Sequence, residues 1–399
     1  MFFHRNHLSE VLEAAALSLS ALALVIFILI PGLSGLAAGS FSGISVLSAG
    51  PFVPGSIPAA GDGDYIHWVD FDVPQPALER AFRWDVDTCQ SEIHIDWVDL
   101  LACLGARYGG DFSRYRQAEM DELAARLQNG ETMEEIAGDL KYYPYYREAY
   151  GAVLDGLLGQ YETEIDGAEA PDFALPTDES GNPIRSEEKV WVNKYGLKAF
   201  SPIASGFPYS EYDDFGVSRS YGYRRQHLGH DMMGQVGTPI IAVESGRVEA
   251  LGWNQYGGWR IGIRSFDGRR YYYYAHLRKN YPYQSNLQAG SVVSAGDVIG
   301  YMGRTGYSTA ENTNNIDEPH LHFGIQLIFD ESQKEGNNEI WIDCFELTRF
   351  LSMNRAEVKK VEGTKEWARI YGIKDPVIPE NAEITGQEQV FTESHPADG

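Results

Sequence analysis

Between Leu321 and Phe329 every second residue is apolar: Leu321, Phe323, Ile325, Leu327 and Phe329. Successive side chains of an extended chain point to opposite faces, so this alternation predicts a half-buried strand. His320 and His322 fall on the other face, about 7 Å apart by the usual rise per residue. Trp259, Ile261 and Ile263 alternate in the same way with Arg260, Gly262 and Arg264. Asp267-Gly268 then predicts a two-residue hairpin turn, with the return strand at 271–275. The β-branched run 240–248 and the glycine-broken segment 290–306 add further short strands. Strands of this length with regular turn signals predict an antiparallel sheet or barrel-like fold over residues 201–352.

Upstream the period changes. Trp97, Leu100, Leu101 and Leu104 recur at i, i+3, i+4 and i+7, and Met120, Leu123 and Leu127 repeat the pattern. Thr132 with Glu135 makes a capping box after the Asn129-Gly130 stop. Tyr146, Tyr150, Val153, Leu154 and Leu157 form another apolar face. Together these predict a small domain of four or five helices over residues 76–165. The polar, Pro-containing stretch that follows reads as a linker, residues 166–200. A last amphipathic helix is expected from about Phe345 to Val361. Residues 353–399 then hold its end and an acidic, disordered tail. The chain is therefore expected to be α+β.

From Ala14 to Ala38 there is no charge, which is long enough to span a bilayer as a helix and longer than an ordinary signal-peptide core. Residues 1–38 are expected to be a signal anchor and 39–75, rich in Gly, Ser and Pro, a flexible stalk. That topology is single-pass in the cell membrane, with the remaining chain extracytoplasmic. Cleavage near Ala37 or Ala49 is the alternative, and it would secrete the protein. The hydrophobic fraction of 43% suffices for real cores. Asp and Glu total 57 against 32 Lys and Arg, with no basic block. Nucleic-acid affinity rests on clustered cations, so nucleic acid is excluded as a partner. Three scattered cysteines make no disulfide framework.

Five of the ten histidines lie between Gln226 and Phe323. In "HLGHD", His227 and Asp231 are four apart, with Gly229 between them permitting a tight backbone. Zinc accepts imidazole nitrogen and carboxylate oxygen, and catalytic sites supply three protein ligands while leaving one position open. His227, Asp231 and one histidine of "HLH" would make that set. The other imidazole of "HLH" and His276 in "YAHL" would sit near the open position, where a neutral imidazole can take a proton from water that the metal acidifies. Either motif alone is a weak signal; the two in this order, with "YAHL" between them, are a strong one. His67 and His94 have no partner spacing and read as structural.

The stretches "SYGYRRQHLGHDMMGQVGTPIIAVESGRVEALG", "YGGWRIGIRSFDGRRYYYYAHL", "AGSVVSAGDVIGYMGRTG" and "PHLHFGI" resemble the lysostaphin/LytM family of zinc metallopeptidases over roughly residues 206–329. Members of that family cut peptide bridges in bacterial peptidoglycan. The resemblance implies a Zn2+-dependent endopeptidase acting on cross-links or stem peptides of the cell wall. Its H-x-G-x-D and H-x-H motifs place the metal on His227, Asp231 and His322, and the catalytic imidazoles at His276 and His320. Tyr221, shortly before the first motif, corresponds to a stabiliser of the tetrahedral oxyanion. Two departures stand out. Gly324 replaces a glutamate that often follows "HLHF", and "TAENTNNIDE", residues 309–318, lengthens a loop beside the cleft. His230 has no ligand counterpart and is expected to point away. Some relatives on this fold are non-catalytic wall-binding, scaffold or activator proteins. They usually lack ligands, and none is missing here. The expected partners are peptidoglycan peptides, the membrane through the N-terminal segment, and a protein docking on the helical domain.

Overall fold

The computed structural model describes residues 65–220, 224–334, 336, 338–382 and 384. The expected anchor, most of the expected stalk and the end of the acidic tail lie outside the described residues. Among the described residues no helix is long and apolar enough to cross a membrane. Five helices open this part of the chain: α1 (Gln75–Thr88), α2 (Trp97–Tyr108), α3 (Gln117–Gln128), α4 (Met133–Ala137) and α5 (Tyr143–Leu154). Their ends follow local chemistry. The Asp96 carboxylate accepts from the backbone N–H groups of Val98 and Asp99, and α2 stops at Gly109 with φ of 66°. Thr132 and Glu135 cap α4 reciprocally, as the spacing predicts.

Two strands differ from expectation. Residues 158–165, at the end of the expected helical domain, belong to β1 (Leu158–Asp166), and the expected linker contains β2 (Lys189–Leu197). The two pair antiparallel over their whole length, Leu158 opposite Leu197 and Asp166 opposite Lys189. Most of their side chains are half-buried or exposed, which explains a polar composition that carries no clean alternation.

The next strands are β3 (Ser210–Glu211), β4 (Ser218–Ser220), β5 (Arg224–Gln226), β6 (His230–Met233), β7 (Pro239–Ile241) and β8 (Gly246–Asn254). After them come β9 (Gly258–Ser265), β10 (Arg270–Ala275), β11 (Val292–Val293), β12 (Val298–Tyr301), β13 (His320–Leu327) and β14 (Ile340–Ile342). Eight of them form an antiparallel sheet in the order β11-β8-β9-β10-β13-β6-β3, with β14 also paired to β13. The β9–β10 connection holds four residues, 266–269, rather than two. Gly268, at φ 75°, donates its N–H to the Ser265 carbonyl. On β13, Leu321, Phe323, Ile325 and Leu327 are buried, as their alternation predicts. They share one apolar core with Leu100, Leu101 and Leu104 of α2.

The last helix is shorter than expected: α6 (Phe345–Leu351). Beyond it the Asn354 amide donates to the carbonyls of Leu197 and Ala199, and Arg355 donates to those of Ile203, Ala204 and Phe207. These tertiary bonds outcompete helical continuation, and the chain turns into β15 (Val358–Lys360), β16 (Trp367–Arg369) and β17 (Ile373–Lys374), the last pairing with β1. Phe350 of α6 packs against Phe82 and Trp97, with ring centroids 5.7 and 5.9 Å away. Deeper in, the fully buried Arg270 of β10 pairs with Glu244 at 2.8 Å and donates Nη1 to the Ala152 carbonyl of α5 at 2.7 Å. All three cysteines are free.

Candidate metal centre

The antiparallel pairing of β13 with β6 sets His322 opposite Asp231. His227 reaches the same spot from the residues just before β6. Its Nε2 lies 3.1 Å from Asp231 Oδ1 and 2.8 Å from His322 Nδ1, and the last two atoms are 3.0 Å apart. Gly229 makes this possible. A Cβ there would stand 2.7 Å from both Nε2 of His322 and the Phe323 carbonyl oxygen. The Nδ1–H of His227 donates to the Asp214 carbonyl at 3.0 Å, which leaves the Nε2 lone pair facing inward. Around this triangle, Asp231 Oδ2 accepts from Arg219 Nη1 at 2.7 Å, and Arg219 also reaches Asp214.

His276 follows β10 in the left-handed region, φ 62°, and its Nδ1–H donates to the Thr305 carbonyl at 2.9 Å. His320 donates Nδ1–H to the Glu318 carbonyl at 2.9 Å. Its Nε2 is buried without a hydrogen bond and lies 3.7 Å from Asp231 Oδ2. The rings of His276 and His320 are 4.8 Å apart, and His276 is 5.8 Å from His322. Each imidazole thus has one nitrogen pinned to a carbonyl and the other left for chemistry. Burial, reinforced by His320 and His322, pushes the pKa of His276 well below its ordinary value, so it is neutral at neutral pH. Burial also lowers His322. His227 behaves oppositely. Burial would lower it, but hydrogen bonds to Asp214 and Asp231 outweigh that and raise it to about 9.

The structure therefore brings together His227, Asp231, His276, His320 and His322. Tyr221 lies outside the described residues. His230 turns away from the triangle, donating towards Glu211 at 3.2 Å and packing edge-on against Phe345. His94 is paired with Asp85, which also accepts from Tyr195. Trp341 stands where a side chain at position 324 would go: a Cβ on Gly324 would meet its ring at 2.9 Å. Sequence reasoning missed Asp214 and Arg219, because no fixed spacing links a loop carboxylate to a histidine that docks on it through tertiary contacts.

A model of the group described as Peptidase family M23 matches residues 225–337. The chain carries an M23 peptidase domain. This domain is similar to the L-Ala–D-Glu endopeptidase of Bacillus subtilis, with 38% identity over 130 residues, 33% of this chain and 38% of that protein. Lysostaphin of Staphylococcus simulans is 36% identical over 134 residues, 33% of this chain and 22% of its own length. The crystallised catalytic domain of the latter aligns at 32% identity over 35% of this chain and 92% of that one, with a TM-score of 0.27. The chain thus spans well under half the length of these two curated relatives.

Zinc is the cofactor of M23 peptidases, and the M23 domain offers a donor set that fits it. His227, Asp231 and His322 supply two nitrogens and one carboxylate oxygen, and they form the one such group among the described residues. Their mutual distances of 2.8 to 3.1 Å approach the roughly 3.3 Å edge of a tetrahedron with bonds of about 2.0–2.1 Å. Two imidazole lone pairs and a carboxylate oxygen this close together repel one another unless a cation or proton lies between them. Because the metal-free site raises His227 to about 9, zinc must displace a proton there at lower pH. The zinc dissociation constant should rise about tenfold per pH unit below that value and level off above it. Chelator-competition titrations across this range check the slope, and a profile flat above neutral pH would mean that the hydrogen bonds to Asp214 and Asp231 do not raise His227.

Proposed function

We propose that this protein is a zinc-dependent endopeptidase that hydrolyses peptide bonds of bacterial peptidoglycan. The observation that carries this reading is the convergence of three metal donors with two imidazoles whose Nε2 atoms are left for proton transfer. Similarity to an L-Ala–D-Glu endopeptidase and to lysostaphin supports peptide-bond hydrolysis, and the motifs' likeness to cell-wall enzymes supports the substrate. Zinc, when bound, supplies a Lewis acid that polarises a scissile carbonyl and acidifies water.

His227, Asp231 and His322 would hold the metal. His320, with Nδ1–H fixed on the Glu318 carbonyl, presents Nε2 to accept a proton from the attacking water. His276, fixed on the Thr305 carbonyl and kept neutral by burial, presents a second Nε2 acceptor to the same site, and the imidazole that takes the proton of the water hands it on to the leaving amine. The uncharged run 14–38 and the stalk after it support a cell-membrane anchor with the catalytic domain outside the cytoplasm.

Digestion of purified sacculi with the zinc-loaded full chain tests the reading. New amino termini on stem or cross-bridge peptides are expected, identified by mass spectrometry of released muropeptides. Zinc-loaded protein that releases no new amine from any sacculus would make it a binding module.

A further inference from the structure

Asp214 lies in the loop 212–217 between β3 and β4. That loop is docked on His227 in both directions. The His227 N–H donates to the Val217 carbonyl at 3.0 Å, and the Gly216 N–H donates to the His227 carbonyl at 2.7 Å. Two oxygens of Asp214 face the Nδ1–H of His227, the carbonyl at 3.0 Å and Oδ2 at 3.2 Å. The same Oδ2 takes Nη2 of Arg219 at 2.5 Å, while Nη1 of Arg219 reaches Oδ2 of Asp231 at 2.7 Å. Asp231 is therefore divided: Oδ2 goes to the guanidinium, and Oδ1 faces His227 and His322. Asp214 and Arg219 are largely buried, with side chains 18% and 24% exposed.

We propose that Asp214 and Arg219 form a positioning pair that presets the metal ligands, Asp214 orienting His227 and Arg219 restricting Asp231 to a single donor oxygen. The inference rests on His227, Asp231 and His322 being the zinc ligands. A carboxylate accepting the Nδ1–H fixes the tautomer of the imidazole and strengthens its other nitrogen as a donor. A planar fork can bridge two carboxylates at once, whereas an ammonium acts as a point charge. Holding Oδ2 away keeps Asp231 monodentate, so the fourth position stays open for water or a substrate carbonyl.

The test uses the full chain and reads zinc affinity by chelator competition, the visible spectrum after cobalt substitution, and circular dichroism with thermal melting of the metal-free form. Asp214→Asn should weaken zinc about 10–100-fold while the metal-free form keeps the wild-type circular dichroism spectrum, its melting point lowered by the loss of the buried charge. Arg219→Lys should weaken zinc similarly, and its cobalt absorption should fall as Asp231 becomes bidentate and coordination number rises. Arg219→Lys keeps the charge and carries the test if Asp214→Asn does not fold. Both variants holding zinc within about twofold of the wild type, with an unaltered cobalt spectrum, would overturn the pair alone. A wild-type chain that binds no zinc would overturn the ligand assignment and the pair with it.

Discussion

His322→Ala should purify without zinc and lose hydrolysis, whereas His320→Ala should keep zinc and still lose most turnover. The asymmetry follows from where each ring points. His322 Nδ1 completes the triangle with His227 Nε2 and Asp231 Oδ1. Removing it leaves two of the three donors a catalytic zinc site uses, and the Lewis-acid contribution of several kcal/mol goes with the metal. A loss of about 10⁴-fold or more in sacculus digestion is expected. His320 contributes no donor within 3.1 Å of the other two, and its free Nε2 stands 3.7 Å from Asp231 Oδ2. Its loss should lower turnover by about 10²–10⁴-fold, the usual range for a positioned acid or base. Elemental analysis and muropeptide release on the same preparations separate the two. Full turnover in His320→Ala, or stoichiometric zinc in His322→Ala, would undo the division of labour.

Gly229→Ala should be nearly as damaging without removing any functional group. The added Cβ would stand 2.7 Å from Cε1 and Nε2 of His322 and from the Phe323 carbonyl. The carbonyl belongs to the backbone of β13, which is paired on both sides, so it cannot yield. The ring of His322 has to move, and with it the third donor. Zinc affinity should fall about 100-fold or more, and overpacking should cost about 1–3 kcal/mol of stability. Zinc titration and melting of the metal-free chain measure the two separately. Wild-type zinc affinity in this variant would mean that the 227–229 segment shifts as a unit.

What could be read from the sequence was whatever a short-range rule controls. Strand alternation placed His320 and His322 opposite Leu321 and Phe323, and the Thr132/Glu135 cap announced α4. The H-x-G-x-D spacing predicted that Gly229 permits a tight approach; the structure adds what approaches, the His322 ring. Longer-range facts stayed hidden. The helix expected to reach Val361 stops at Leu351 because Asn354 and Arg355 serve carbonyls some 150 residues earlier in the chain. The strand inside the expected linker was masked by its half-exposed faces. Asp214 meets His227 only because a loop folds back on it, and no periodicity encodes that contact.

The bond from Arg270 to the carbonyl of Ala152 has a further consequence. In many enzymes a catalytic domain can be excised and studied alone. Here the final turn of the helical region supplies an acceptor to a guanidinium fully enclosed beneath the sheet. A fragment starting at residue 200 would leave that Nη1 without its carbonyl acceptor. Calorimetry of the described region should show one transition rather than two. Any truncation meant to isolate the M23 domain has to begin upstream of α1, so that the helices travel with it as part of its foundation.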